Sequence, residues 1–232
     1  MTKIMITTLA VFLTAQAQAL TLEEQAYLTI DTVTVQEIPD QSPLLDKIQT
    51  FDYAPPASIA AQLSPVKELE VEVDTIINIG QKIWTIVEAG KPVVNVELNS
   101  ASAMPVGIKT WQQLSGWKMP QSKSFRVHYT NLFGMNVVDF SYRLMFTFGG
   151  HYNGQGHYVT GATILPSALD VAWGYSFKAN VEIPTVINMG SVENPIGGVQ
   201  MNINWVVGTV LKHSQTRASY FVDGLGHLKQ ME

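Results

Sequence analysis

The chain has 232 residues and no cysteine, with 14 Lys+Arg against 19 Asp+Glu, 46% hydrophobic residues and only 14% charged residues. That charged fraction is well below the roughly 25% usual for soluble domains, and the lack of cysteine excludes a disulfide scaffold, Cys-ligated zinc, iron–sulfur clusters and a cysteine nucleophile. No apolar run reaches the roughly 18 residues of a spanning helix, and a net charge of −5 argues against nucleic acid as a partner.

Met1-Thr2-Lys3 is a short basic start, Ile4 to Thr14 is apolar, and Ala17-Gln18-Ala19 has the small-x-small pattern of a signal peptidase site. Together they predict a secretory signal over residues 1–19. A lipoprotein would need a cysteine after the cleavage site. The expected location is therefore the periplasm or the exterior of a bacterial cell, reached by Sec export without a lipid anchor.

Charge then divides the chain. Residues 20–100 hold 13 acids and 4 bases, whereas residues 101–232 hold 6 acids and 9 bases. Such an asymmetry asks for a structural or functional account. Residues 20–63 read as an acidic, loosely ordered arm with Gln41-Ser42-Pro43 and Ala54-Pro55-Pro56, in which Thr29 to Glu37 alternates weakly like an edge strand.

Residues 64–232 read as one domain. Ser64-Pro65 resembles a helix start, and apolar residues at Val66, Leu69, Val73, Ile76, Ile77, Ile83, Trp84 and Val87 follow a 3.6-residue period up to Gly90 and Pro92. This predicts an amphipathic helix over about 64–90, although Glu68–Val73 also alternates like a strand. From Pro92 the period becomes 2. Alternating segments fall at 94–98, 125–130, 136–148, 169–183, 199–211, 218–223 and 226–230, with turns at Asn153-Gly154, Leu165-Pro166-Ser167, Asn194–Gly198, Ser214-Gln215-Thr216 and Asp223-Gly224. The expected fold over about 92–232 is an antiparallel β-sandwich of about 7–9 strands, each with one face on a core and one in water. A transmembrane barrel fits less well, because the helix and the acidic arm have no place in a small one.

No nucleophile elbow, P-loop, dinucleotide fingerprint, His-Glu-x-x-His or calcium loop occurs. The densest local constellation is Gly149–Tyr158, with His151, Tyr152, Asn153, His157 and Tyr158 around a glycine-rich hairpin. Imidazoles and phenol rings there could contact a small ligand or a glycan. Two histidines with no carboxylate nearby make a poor metal site, so neither a metal nor a cofactor is expected. Trp111 and Trp117, in the irregular segment Lys109–Met119, are candidate contacts for a sugar or a membrane surface, whereas Tyr129, Trp173, Tyr175 and Trp205 fall on apolar faces and read as core. Asp223 and His227, with Ser214 and Ser219, could be arranged as a triad on paper, but Asp223-Gly224 is better explained as turn chemistry.

The leading expectation is an exported, non-catalytic module with a binding or structural role, its partner an envelope protein or a glycan, with a membrane surface as a further candidate. A second reading is a membrane-active pore former. The order of amphipathic helix and sandwich is similar to that of actinoporin-type toxins, in architecture only and with no residue carried over. A third is an enzyme of unrecognised type centred on the His151/His157 hairpin.

Overall fold

The structure, a computed structural model, describes residues 19–40, 71–78, 85–88 and 100–231. The expected signal sequence, the proline-containing part of the arm and the strand at 94–98 lie outside these residues. Among the described residues the chain forms one short helix, α1 (Leu22–Tyr27), and eleven strands. The strands are β1 (Ile30–Ile38), β2 (Glu72–Asn78), β3 (Thr85–Glu88), β4 (Ala101–Val106), β5 (Gln121–Asn131), β6 (Asn136–Tyr152), β7 (Gln155–Val171), β8 (Ser176–Asn188), β9 (Gly197–Gly208), β10 (His213–Asp223) and β11 (Leu228–Met231).

They build two antiparallel sheets, one of six strands in the order β1-β5-β6-β7-β4-β2 and one of five in the order β11-β10-β9-β8-β3. This is the expected antiparallel sandwich with more strands than anticipated. Connections β6–β7, β8–β9, β10–β11 and the long β4–β5 segment lie at one end, the hairpin end. Connections β5–β6, β7–β8 and β9–β10 lie at the other, where α1 also packs.

The predicted helix over 64–90 is overturned where it is described: residues 72–78 and 85–88 are strands, β2 beside β4 and β3 beside β8. The segment is rich in β-branched residues (Val73, Thr75, Ile76, Ile77, Thr85, Ile86, Val87), which lose rotamer freedom in a helix and fit a pleated surface. The other part of that expected helix lies outside the described residues. Residues 20–40 of the expected arm contain α1 and β1. α1 carries a capping box between Thr21 and Glu24, and β1 pairs with β5 from Ile30↔Asn131 to Ile38↔Ser124, so the weak alternation at 29–37 is an edge strand as expected.

Two turns move. Leu165-Pro166-Ser167 lies within β7, with Pro166 opposite Tyr142, and Ser214–Thr216 lies within β10. The alternating run 169–183 is two strands, broken by a turn at Ala172–Tyr175 that leaves Trp173 85% exposed rather than in the core. Tyr129, Tyr175 and Trp205 are buried as expected.

The interior is aromatic. Phe125, Tyr129, Phe140 and Tyr142 from β5 and β6 face Phe177, Trp205 and Tyr220 from β8, β9 and β10. The Phe140 and Phe177 rings lie 4.7 Å apart and those of Phe125 and Tyr220 4.9 Å, within the range where ring pairs attract. Their polar atoms are matched across the sheets. The Tyr142 and Tyr220 hydroxyls meet at 2.7 Å, Trp205 Nε1–H donates to the Tyr129 hydroxyl at 2.9 Å, and that hydroxyl meets Thr216 Oγ1 at 3.1 Å. Burial pushes the Tyr220 phenol up to about 12 and that of Tyr142 higher still. These side chains fill the space between the two sheets.

The charge asymmetry has a structural counterpart. Glu37, opposite Phe125, accepts from Lys123 at 2.9 Å on the core-facing side, and on the outer face of β5 and β6 Asp40 lies 3.3 Å from Arg143 while accepting from Ser122 and Ser124, so the acidic arm is tied to cations on both sides of the sheet. Burial works to raise the Asp40 pKa, but the serine hydrogen bonds and the Arg143 charge together bring it below the ordinary value. On the same face Arg126 grips Asp139 through Nε (2.9 Å) and Nη2 (2.5 Å).

Two predictions follow from this core and its outer face. Tyr220→Phe leaves the buried Tyr142 hydroxyl unpaired and should lower stability by about 1–3 kcal/mol, whereas the double change Y142F/Y220F should cost less than the two single changes combined, as measured by urea unfolding. The Arg126 hydrogen bonds hold the Asp139 carboxyl below its ordinary value. Its contribution is therefore complete above the unfolded aspartate pKa of about 4 and is lost as pH falls below it. Asp139→Asn should be less stable at neutral pH and should lose less of its remaining stability between about pH 5 and pH 3 than the parent.

Candidate functional site

The residues singled out by sequence gather at the hairpin end, although they come from two separate segments. Asn153 (φ 50°) and Gly154 (φ 80°) make the two-residue turn, and Tyr152 pairs with Gln155. Both turn positions need positive φ, which is why Asn-Gly stands there. The segment carrying Trp111 and Trp117 folds back along β6. Ser115 and His151 exchange backbone hydrogen bonds of 3.0 and 2.8 Å, and Lys118 N–H donates to Phe148 at 2.9 Å.

Glycines make room for this docking. The Trp117 ring lies where a Cβ on Gly150 would fall 2.4 Å from it, and the His151 ring lies equally close to Gly116. Trp117 Nε1–H donates to the Trp111 carbonyl at 3.0 Å, and His151 Nδ1 accepts from Gly154 N–H at 3.3 Å. That last bond needs the Nδ1 lone pair, so the imidazole holds its proton on Nε2. Tyr152 and Trp117 pack against a small core of Met104, Ile108, Leu114 and Tyr158. Tyr158 is fully buried and donates to the Val73 carbonyl at 2.7 Å; burial, aided by the charge of Asp74, pushes its phenol up to about 12.

The two histidines do not converge. His151 is bonded toward Ser115, while His157 N–H donates to Pro195 at 2.8 Å on the opposite edge of the hairpin. Among the described residues no three His, Asp or Glu side chains come together as metal ligands. Asn153 is exposed at the turn and Trp111 is 45% exposed. The constellation is thus brought together, but its rings are mostly spent on closing this end of the sandwich.

Asp223 and His227 do meet, with His227 Nδ1 at 2.8 Å from Asp223 Oδ2. Asp223 is buried, and its Oδ1 accepts the N–H groups of Leu225 and His227, so it organises the β10–β11 turn. Ser214 pairs with Val207, about 30 Å along β10 from Asp223, and Ser219 pairs with Met231 on an outward face. No serine of β10 completes a triad with the pair.

A different surface lies on the outer face of the five-stranded sheet. β9 turns Val199, Met201, Ile203 and Trp205 inward and Gln200, Asn202 and Asn204 outward. Asn204 stands between Asn180 of β8 and Arg217 of β10, and Asn202 between Glu182 and Ser219. Gln200 donates to Asn202 Oδ1 at 3.1 Å, Arg217 Nε to Asn204 Oδ1 at 2.6 Å, and Asn180 to Glu182 at 3.0 Å. These bonds orient the amides. Asn202 and Asn204 are only 5% and 8% exposed, and their Nδ2 donors bond to no acceptor among the described residues. Beside Gln200 the Phe221 ring lies against Gly198, where a Cβ would come within 2.4 Å of it. This row has no motif in sequence, because its members sit on three strands and only the register assembles them.

No protein-family model, curated protein or solved structure matches this chain. The chemistry of these residues therefore carries the functional reading.

Gly150→Ala should dislodge Trp117 from its seat. The expected result is a loss of about 1–3 kcal/mol in unfolding free energy with a change in tryptophan emission, while Gly154→Asn at the open turn should leave the Trp117 environment unaltered.

Proposed function

We propose that this chain is an exported, non-catalytic module that binds a polysaccharide across the outer face of its five-stranded sheet. The observation that carries the reading is the row of oriented amides, Gln200, Asn202 and Asn204, flanked by Asn180, Glu182 and Arg217 and bounded by the Phe221 ring.

Sugar hydroxyls donate and accept at once, and amides are the side chains that do the same. Outward residues along β9 repeat every 6.8 Å or so and neighbouring strands lie about 4.8 Å apart, a spacing that presents several polar groups to successive rings of an extended chain. An aromatic ring at one end of the row offers an apolar face to the C–H side of a sugar. The amides are held by their own hydrogen bonds, so little side-chain entropy is lost on binding. Export rests on the basic, apolar and small-x-small order of Met1 to Ala19. Where it is described, the helix that the pore-forming alternative calls for is strand, at 72–78 and 85–88.

Peptidoglycan sacculi, chitin and cellulose serve as probes in a pelleting assay. At least one should retain the protein, and Asn202→Ala/Asn204→Ala with Phe221→Ala should weaken retention tenfold or more while the circular dichroism is preserved. Equal retention of parent and folded variant, or no retention on any of the three, would overturn the proposal.

A further inference from the structure

The end of the sandwich opposite the glycine hairpin exposes apolar side chains on every turn that reaches it. The β5–β6 turn presents Leu132, Phe133 and Met135, each more than half exposed; the β7–β8 turn presents Trp173 at 85%; the β9–β10 turn presents Val210 at 78% and Leu211 at 46%. Leu22 of α1 adds a further one at 84%. A tryptophan and a valine left this bare are not accidents of a short connection, because the turns that carry them are built firmly.

Each turn is held by its own hydrogen bonds. Asn131 Oδ1 accepts from Phe133 and Met135 N–H at 3.1 and 3.0 Å, so the first turn is fixed with its apolar side chains outside. In the second, Tyr175 N–H donates to Ala172 at 3.2 Å, and the Tyr27 hydroxyl of α1 clamps the Trp173 carbonyl at 3.0 Å. In the third, Thr209 Oγ1 accepts from Leu211 and Lys212 N–H, both at 3.2 Å. The backbone polar groups are satisfied within the turns, and the apolar tips project from rigid bases.

The turn residues themselves carry little charge. The turns 132–135, 172–175 and 209–212 contain no acid and one cation, Lys212, which His213 follows. The nearest acids are Asp170, two residues before the β7–β8 turn, Asp139 opposite it, which Arg126 holds, and those of α1 and β1. Glu24 is folded back onto Thr21 as a helix cap, and Glu23 and Asp31 are exposed. The hairpin end also exposes Trp111, Met119, Met189, Val192 and Leu225, but there Lys118, Glu193 and Asn194 lie beside them in sequence.

Tips of this kind suit a particular partner. Projecting, separately rooted side chains leave gaps that a folded protein surface would have to fill with matching knobs, whereas lipid chains fill any gap. Between Trp173 and Val210 the surface forms an open hollow of about 500 Å³ floored by Ser176, Gly208 and Thr209. Tryptophan favours the interface between headgroups and acyl chains, and a lysine at the rim meets lipid phosphate. We infer that this end of the sandwich docks peripherally on a phospholipid bilayer, with Phe133, Trp173 and Val210 entering the interface and Lys212 on the headgroups. The inference stands on these turns alone and does not depend on polysaccharide binding elsewhere.

The test is sedimentation of the full protein with vesicles of phosphatidylethanolamine and phosphatidylglycerol. The parent should co-sediment, and Phe133→Ser/Trp173→Ser/Val210→Ser should bind at least tenfold less while keeping its circular dichroism and thermal midpoint. With brominated lipids the parent's tryptophan emission should be quenched. Trp173→Phe, which keeps an apolar tip, should still co-sediment but lose most of that quenching. Failure of the parent to co-sediment would overturn the inference, as would undiminished binding by the folded triple variant. A concentration-dependent dimer abolished by the triple variant, with no vesicle binding, would also overturn it and assign the tips to a second copy of the chain.

Discussion

Where the two sheets meet, polar atoms of large aromatic side chains have to find partners far from water. The Tyr142 and Tyr220 hydroxyls satisfy each other, and Trp205 Nε1–H reaches the Tyr129 hydroxyl, which in turn meets Thr216. Each of these bonds runs from the six-stranded sheet to the five-stranded one. They act as directional pins through a core that is otherwise held by non-directional burial. A cysteine-free chain has no covalent cross-link to set the slide or rotation of one sheet over the other. The aromatic pairs set it instead, because a shift of one residue along a strand would turn every ring outward and strand its polar atom. The outward rows of amides on β9 and of charges on β5 and β6 inherit their positions from that inward register.

The same economy of side chains explains the glycine-rich hairpin. A segment that returns along β6 must bring the Trp117 indole and the Lys118 stem against the strand, and side chains on Gly149 and Gly150 would stand in the way. The imidazole of His151 and the ring of Tyr158 have structural employment of the same sort, one over Gly116 and one tied to β2. Local density of histidine, tyrosine and glycine is therefore a sign of close packing here. The acidic arm follows similar logic: Glu37 and Asp40 lie on Lys123 and Arg143, so the uneven charge along the chain is partly evened out in space.

Strand alternation was legible wherever one face is aromatic or aliphatic and the other polar, as in β5, β6, β8, β9 and β10. It failed at β7, where Gly156, Gly161 and Pro166 and several register shifts against β6 blur the period. It failed also at 72–78 and 85–88, where Val, Ile and Thr happen to recur at helical spacing, and β-branching was the better guide than period. Trp173 was misplaced because it continues the parity of β7 and β8 through a turn that the pattern does not reveal. The amide row could not be read at all, since Asn180, Asn204 and Arg217 are neighbours only through register. Sequence thus reported the faces of strands well, and the surfaces made by combining strands or turns poorly.

Those combined surfaces have a fixed mutual orientation. The amide row lies on the broad outer face of β8, β9 and β10, while Trp173 and Val210 lie at the strand ends of the same sheet, β8 beginning and β9 ending beside them. Asn204 is only four residues from Gly208 at that end, about 14 Å along β9. A face is roughly perpendicular to an end, so a bilayer at the turns leaves the amide face free and standing upright from the membrane. The strands that hold one surface hold the other, and their ladder has no hinge among the described residues between Asn204 and Gly208. Both surfaces on one rigid sheet would place a polymer chain within a few nanometres of the lipid headgroups, an arrangement in which each weak contact raises the effective concentration of the other.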